Sequence, residues 1–323
     1  MRAVWLKEFG GPEVLAEGEA PTPVPGPGQV LVEVAYAGIT FVETQFRATG
    51  RGPFSAGLPM IAGNGVAGVV TAAGPGVDRA LLGRRVVTST GGSGGYAEYA
   101  AVPADGLYEV PAELAPDEAL ALLADGRTAV LQIGAAAPRP GERVLVEAAA
   151  GGVGTLLVQL ALAAGATVVA AAGGEDKLRL ARGLGAHETV DYRRPGWSEQ
   201  LEGVDVVLDG VGGEIARAAF ALLRPGGRMV SFGLASGEWS SIPDAEAAAR
   251  QVTLLRPQPT PVQLRQATAH ALAEAAAGRL RPVIGRRLPL ARAAEAHAAI
   301  GSRATIGKTL LEVRVGPAAV AGN

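Results

Sequence analysis

Ala149, Gly151 and Gly154 stand at the spacing of a dinucleotide fingerprint, inside the run Arg143-Val144-Leu145-Val146-Glu147-Ala148-Ala149-Ala150-Gly151-Gly152-Val153-Gly154. A short apolar stretch feeds a turn of small residues, and a second apolar stretch, Leu156 to Ala164, follows. Such a turn aims backbone N–H groups and a helix N-terminus at a pyrophosphate, and small residues let the backbone come close to it. The ribose end of the ligand is written farther along. A site that selects NAD places an acid at the end of the second strand, about 20 residues on, where it holds the ribose 2′-OH. Here Thr167-Val168-Val169-Ala170-Ala171-Ala172 runs into Gly173-Gly174, so that acid is missing and a 2′-phosphate meets no repulsion. Lys177 follows at once, and Arg182, Tyr192 and Arg193 are candidates to approach the same pocket. The expected cofactor is NADPH. The competing reading gives the 2′-OH to Glu175 and leaves Lys177 as a solvated helix residue.

The rest of the chain bounds the chemistry. A length of 323 residues with 48% hydrophobic and 19% charged residues suits two domains with ample material for cores. The net charge of −2 carries no electrostatic footprint of a nucleic-acid or membrane-surface partner. Cysteine is absent, which removes disulfides, thiol nucleophiles and thiolate-bound metals. The N-terminus, Met1-Arg2-Ala3-Val4-Trp5-Leu6-Lys7-Glu8, meets charge too early for a secretory signal, so a cytoplasmic enzyme is expected. From Ala148 to Gly174 the chain carries no charge, long enough to span a bilayer. Glycines interrupt it and its character changes midway, so a buried strand-turn-helix-turn-strand unit is expected instead.

The elements that must position these residues fall into blocks. Val30–Ala35, Gly68–Ala72, Arg85–Thr88 and Tyr96–Val102 read as strands separated by Gly/Pro turns, which implies a β-rich, barrel-like domain over 1–118. After Pro116 a helix is expected over Asp117–Ile133. Then strands at Arg143–Ala148, Thr167–Ala172, Glu188–Val190, Val204–Leu208 and Arg228–Phe232 alternate with helices such as Asp176–Leu184 and Glu214–Leu223. That alternation implies a parallel, right-handed α/β sheet, a Rossmann domain over 119–255. The stretch 256–315, with helices at Pro261–Gly278 and Ala291–Ile300 and a strand at Thr309–Val315, is expected to return to the first domain, and 316–323 to form a frayed tail.

Taken together, the chain resembles the medium-chain dehydrogenase/reductase superfamily, in its zinc-independent quinone oxidoreductase (zeta-crystallin-like) branch. The resemblance runs from Met1 to about Val313. It is carried by Val34-Ala35-Tyr36-Ala37-Gly38-Ile39, Gly63-Asn64-Gly65-Val66-Ala67-Gly68-Val69-Val70, Gly95-Tyr96-Ala97-Glu98-Tyr99, Leu122-Leu123-Ala124-Asp125-Gly126-Arg127-Thr128-Ala129 and the Ala148–Gly154 turn. Lys177, Gly185-Ala186, Asp191-Tyr192 and Ser302-Arg303-Ala304-Thr305-Ile306-Gly307-Lys308 continue it. It implies an α/β fold, a Rossmann domain beside a GroES-like catalytic domain, and a homodimer. It also implies that Lys177, Tyr192 and Arg303 hold the 2′-phosphate, that Thr128 lies near the nicotinamide ribose, and that Gly151, Gly152, Val153, Gly154 and Gly173 line the cofactor.

No metal is expected. Thr40 stands where the zinc-dependent relatives place a cysteine, and Asn64-Gly65 where they place His-Glu. His187, His270 and His297 lack the spacing of a zinc site. The branch commonly carries Asn at the position of Thr40 and Tyr at that of Gln45, so the acceptor pocket departs from it. Thr40 and Gln45, and more weakly Asn64, are the candidate hydrogen-bond donors to a substrate oxygen. Glu43 matches a frequent Asp and reads as structural. The expected reaction is hydride transfer from NADPH to a quinone or an α,β-unsaturated carbonyl. Two alternatives stand beside it: a pathway-specific enoyl reductase, and an NADPH-binding protein with little catalysis.

Overall fold

The computed structural model describes residues 1–54 and 57–314. The chain divides into two units, Met1–Ala124 with Ile284–Asn323, and Asp125–Val283. The expected return to the first domain at 256 comes later, at Ile284, because the helix and loop after 256 stay with the second unit. The Gln159 amide there donates to the Arg281 carbonyl and accepts the Arg281 N–H, both at 2.9 Å. Val315 and the tail 316–323 lie outside the described residues.

The chain opens with β1 (Arg2–Leu6), β2 (Leu15–Glu19), β3 (Gln29–Gly38), α1 (Phe41–Thr49), β4 (Met60–Ile61), β5 (Gly65–Ala73), β6 (Arg85–Ser89), β7 (Tyr99–Pro103), β8 (Tyr108–Glu109) and α2 (Pro116–Ala136). In β3 the fully buried Val30, Val32 and Val34 alternate with partly exposed neighbours, the pattern of a strand with one face on a core. β3 pairs antiparallel with both β5 and β7. Sequence reading finds β3, β5, β6 and β7 but not α1, nor β1 and β2, which form a separate three-stranded sheet with β4. The helix α1 has apolar residues only at Phe41, Val42, Phe46 and Ala48, too irregular for a clear period.

The second unit contains β9 (Arg143–Val146), α3 (Gly152–Ala163), β10 (Thr167–Ala172), α4 (Glu175–Gly183), β11 (Glu188–Asp191), β12 (Val204–Asp209), α5 (Gly213–Ala221), β13 (Leu223–Ser231), α6 (Asp244–Ala249), β14 (Thr253–Leu255) and α7 (Pro261–Ala276). Its six-stranded sheet runs β11-β10-β9-β12-β13-β14. Every pairing is parallel. Val168 to Ala172 of β10 are buried without a break, as a strand covered on both faces requires. Strand order reverses between β9 and β12, and ligands of such sheets sit outside the carboxyl ends at that point. The uncharged stretch from Ala148 to Gly174 is thus turn, helix and strand. One described helix, α2, is long and apolar enough to cross a membrane by length and composition, and it is half-buried in the protein.

The chain returns to the first unit with β15 (Ile284–Pro289), α8 (Ala293–Gly301) and β16 (Lys308–Glu312). These complete a seven-stranded sheet, β15-β16-β3-β5-β6-β8 with β7 also on β3. The antiparallel edge of β16 against β3 sets Leu310 opposite Gly38.

Candidate functional site

In the second unit the fingerprint forms a tight turn between β9 and α3. Ala148 takes a left-handed backbone, φ 46°, and its carbonyl accepts the Gly151 N–H at 2.8 Å. Gly151 starts α3 in an extended conformation and supplies no side-chain cap, while the Asp125 carboxylate lies over Gly152, where a Cβ would meet its Oδ2 at 2.0 Å. Ala149 and Gly154 are buried beneath, while Gly151, Gly152 and Val153 are half-buried at the surface. Gly154 cannot carry a side chain: a Cβ there would lie 2.2 Å from the Ala148 carbonyl oxygen. The turn is therefore a backbone cradle that small residues make possible, and it fits a pyrophosphate.

Below it sits a pair of acids. Glu147 and Asp209, at the carboxyl ends of β9 and β12, are 1% and 0% exposed. Burial and the neighbouring Asp209 push Glu147 well above the usual carboxylate range. The Val211 N–H donates to Glu147 Oε2 at 3.3 Å and to Asp209 Oδ1 at 3.1 Å, and the Gly212 N–H donates to Asp209 Oδ1 at 2.8 Å. Glu147 Oε1 and Asp209 Oδ2 have no other partner. A proton on Glu147 would avoid two buried charges side by side.

At the end of β10, Gly173 leads to Gly174, whose φ of 98° starts α4 without a side-chain cap. Lys177 lies half-buried in the first turns of α4, and Tyr192 is half-buried just past β11. Glu175, the alternative partner for a ribose hydroxyl, is exposed and bonded to Arg182, which also reaches the Thr189 hydroxyl at 3.0 Å. Arg193 is held by Asp191, whose pKa it lowers to about 2. Thr128 sits half-buried on α2, in the part of that helix that belongs to the second unit. Arg303 lies in the first unit, exposed, in a left-handed turn after α8 with φ 57°.

In the first unit Thr40 and Glu43 form a capping box at the start of α1. Glu43 is a buried hub. Its Oε2 accepts the Thr40 N–H and hydroxyl, both at 2.7 Å, and its Oε1 accepts the Asn64 N–H at 2.9 Å. Burial raises its pKa, while the Thr40 and Asn64 donors and the charge of Lys308 pull the other way. Tyr96, fully buried, also faces Glu43, and its hydroxyl lies 2.9 Å from Nε2 of His297. Burial depresses His297 to about 3, so the ring is neutral.

This network reorders the three candidate donors. The Thr40 hydroxyl proton is already given to Glu43, so Thr40 is first a helix cap. Asn64 is the better placed amide. Ser89 accepts the Gly91 N–H at 3.3 Å and donates to Asn64 Oδ1 at 2.7 Å, which leaves the Asn64 NH₂ as the outward donor. Gln45 is half-buried on α1. Sequence reading missed Ser89, for which no motif speaks, and the reach of Glu43, for which the Thr40-x-x-Glu43 box was a usable signal.

The chain matches two family models, "Alcohol dehydrogenase GroES-like domain" over residues 26–112 and "Zinc-binding dehydrogenase" over 184–311. Zinc does not fit these residues. The chain lacks cysteine, and no described group of three His, Asp or Glu side chains could hold a metal. The histidines are apart: His297 pairs with Tyr96, and Nδ1 of His187 accepts the Val168 N–H at 3.0 Å. Among curated relatives, human quinone oxidoreductase is 35% identical over 96% of this chain and 97% of its own. The 2-haloacrylate reductase of a Burkholderia species is 32% identical over 96% and 98%. Among solved structures, an NAD-dependent alcohol dehydrogenase superposes with a TM-score of 0.88 at 34% identity, covering 97% of this chain and 100% of that one. Escherichia coli quinone oxidoreductase complexed with NADPH gives 0.87 at 30% identity, with coverage of 97% and 100%. The chain is an oxidoreductase that belongs to the medium-chain dehydrogenase/reductase superfamily, in the branch of the quinone oxidoreductases.

Proposed function

We propose that this protein is an NADPH-dependent reductase acting on a quinone or an α,β-unsaturated carbonyl without a metal. The observation that carries the cofactor half is the Gly173-Gly174 turn at the end of β10, where an acid would repel a 2′-phosphate. The NADPH complex of the E. coli relative supports the same choice. Gly151, Gly152, Val153 and Gly154 would seat the pyrophosphate, with Ala149 packed beneath. Gly173, Lys177 and Tyr192 would hold the 2′-phosphate, and Thr128 would meet the nicotinamide ribose. Bound NADPH supplies the reducing hydride.

On the acceptor side the chain's own work is to orient the substrate and to stabilise negative charge growing on its oxygen. The Asn64 amide, aimed by Ser89, and the Gln45 amide are the donors for that oxygen, while Thr40 and Glu43 hold the end of α1. A cytoplasmic location and a homodimer belong to the same reading.

Purified protein should oxidise NADPH, followed by its absorbance, with members of a quinone and enone panel, and chelator should leave the rate unchanged. Turnover confined to simple alcohols with NAD⁺ and added zinc would sink the proposal. Binding of NADPH with no turnover on any acceptor would leave only a nucleotide-binding protein. A second reading, a pathway-specific enoyl reductase, is favoured by Thr40 and Gln45 in place of the branch's Asn and Tyr, and by the 2-haloacrylate reductase relative. It expects one conjugated acid, thioester or enone to exceed every simple quinone in kcat/KM.

A further inference from the structure

Gly173-Gly174 is covered by a cation. Because β10 and β11 are parallel with Ala172 opposite Asp191, the residues just past their carboxyl ends meet. The Asp191 carboxylate accepts from Nε of Arg193 at 3.1 Å, from Nη2 at 2.9 Å and from the Arg193 N–H at 3.0 Å. The Gly174 N–H turns to the same carboxylate. The Asp191 side chain is 9% exposed, whereas that of Arg193 is 63% exposed. The anchor is therefore buried and the cation open. The guanidinium crosses the diglycine: a Cβ on Gly174 would lie 2.7 Å from Nη2, and one on Gly173 would lie 3.0 Å from Cδ of Arg193. Two glycines do more here than omit an acid, since they leave the floor over which the arginine lies.

We propose that Arg193 is a specificity-determining contact for the 2′-phosphate, gripped by Asp191 along one edge and presenting the rest of its guanidinium over Gly173-Gly174. This rests on the NADPH reading above and adds to it a cation outside the Lys177 and Tyr192 pair. Asp191 uses Nε and one Nη2 proton, so Nη1 and the second Nη2 proton remain for the oxygens of a phosphate monoester. A guanidinium fixed in advance loses little freedom when it binds, and charge-assisted bonds to a dianion are strong. An exposed ion pair adds little stability of its own, which suits a pair kept for orientation.

The test measures binding of NADPH, NADH, 2′,5′-ADP and 5′-AMP by titration calorimetry, for the wild type, Arg193→Ala and Arg193→Lys. Thermal unfolding checks that each variant is folded. Arg193→Ala should weaken NADPH and 2′,5′-ADP by about tenfold or more and leave NADH and 5′-AMP unchanged. Arg193→Lys should recover part of the loss, because it keeps the charge without the fork. Equal weakening of all four ligands would assign Arg193 to the adenine face and overturn the proposal, as would no weakening in a wild type that prefers NADPH. A wild type that binds NADH as tightly as NADPH would remove the cofactor reading itself.

Discussion

The two units build their candidate sites from different material. In the second unit the cradle is backbone: Ala148, Gly151 and Gly154 shape a turn whose ligand contacts would be N–H groups. In the first unit the site is a web of side chains, Thr40, Glu43, Asn64, Ser89, Tyr96 and His297, drawn from distant stretches of chain. A backbone cradle is defined by where side chains are missing. It therefore tolerates little addition, even of a single methyl. A side-chain web should fail by the loss of single bonds, in graded steps.

The sharpest break of that comparison is Gly154→Ala. The added Cβ has the Ala148 carbonyl at 2.2 Å and the Ala149 Cα at 2.8 Å, both backbone and neither able to swing aside. Urea denaturation should show a loss of about 2–3 kcal/mol, the upper range for overpacking a tight site. NADPH affinity should fall with it. A variant of wild-type stability would mean that the turn is looser than its geometry.

This contrast also explains what could be read in advance. β10 was legible to the residue at both ends, because Thr167 follows a glycine stop and Gly173-Gly174 ends an unbroken buried run. The cradle was legible because fingerprint spacing is local, all within the run Ala148–Gly154. The acceptor-side web was not. Tyr96 and His297 meet across more than half the chain, and α1 lacks an apolar period to announce it. Thr40 and Asn64 were singled out by their positions, but that Glu43 takes the Thr40 proton and that Ser89 aims Asn64 follow only from β5, β6 and α1 being folded together.

Within the first unit, Glu43→Gln should cost about 1–3 kcal/mol. The carboxylate accepts three donors through two oxygens, and an amide turns an NH₂ toward either the Thr40 or the Asn64 N–H. Activity should fall through kcat with NADPH affinity unchanged, since the cradle lies in the other unit. A variant that lost NADPH binding instead would erase the division of labour drawn here.

The buried acids test the second unit by pH. Glu147 is raised in the folded state, so the folded protein binds a proton that the unfolded chain has released. Its contribution is complete below the unfolded value and is lost as pH rises through the folded one. Over that window the slope is about 1.4 kcal/mol per pH unit at most. Glu147→Gln keeps a hydrogen bond to Asp209 without needing the proton. Melting temperature followed against pH should therefore decline more steeply toward alkaline pH in the wild type than in the variant. Parallel curves would show that Glu147 holds no proton in the folded state.

The smallest effect expected is at Ser89, and it separates aim from presence. Ser89→Ala removes one hydroxyl that donates to Asn64 Oδ1 at 2.7 Å and accepts the Gly91 N–H at 3.3 Å, both near the surface. Stability should move by about 1 kcal/mol or less. The Asn64 side chain stays, but nothing then prefers its NH₂ over its carbonyl as the outward group. A donor that faces the substrate oxygen only part of the time loses charge stabilisation in proportion. kcat should fall severalfold while KM for NADPH holds. Asn64→Ala, which removes the amide altogether, should be the more severe of the two, and adding Ser89→Ala to it should cost nothing further in kcat. An additive double variant would place Ser89 in some task of its own and leave Asn64 without its aiming partner.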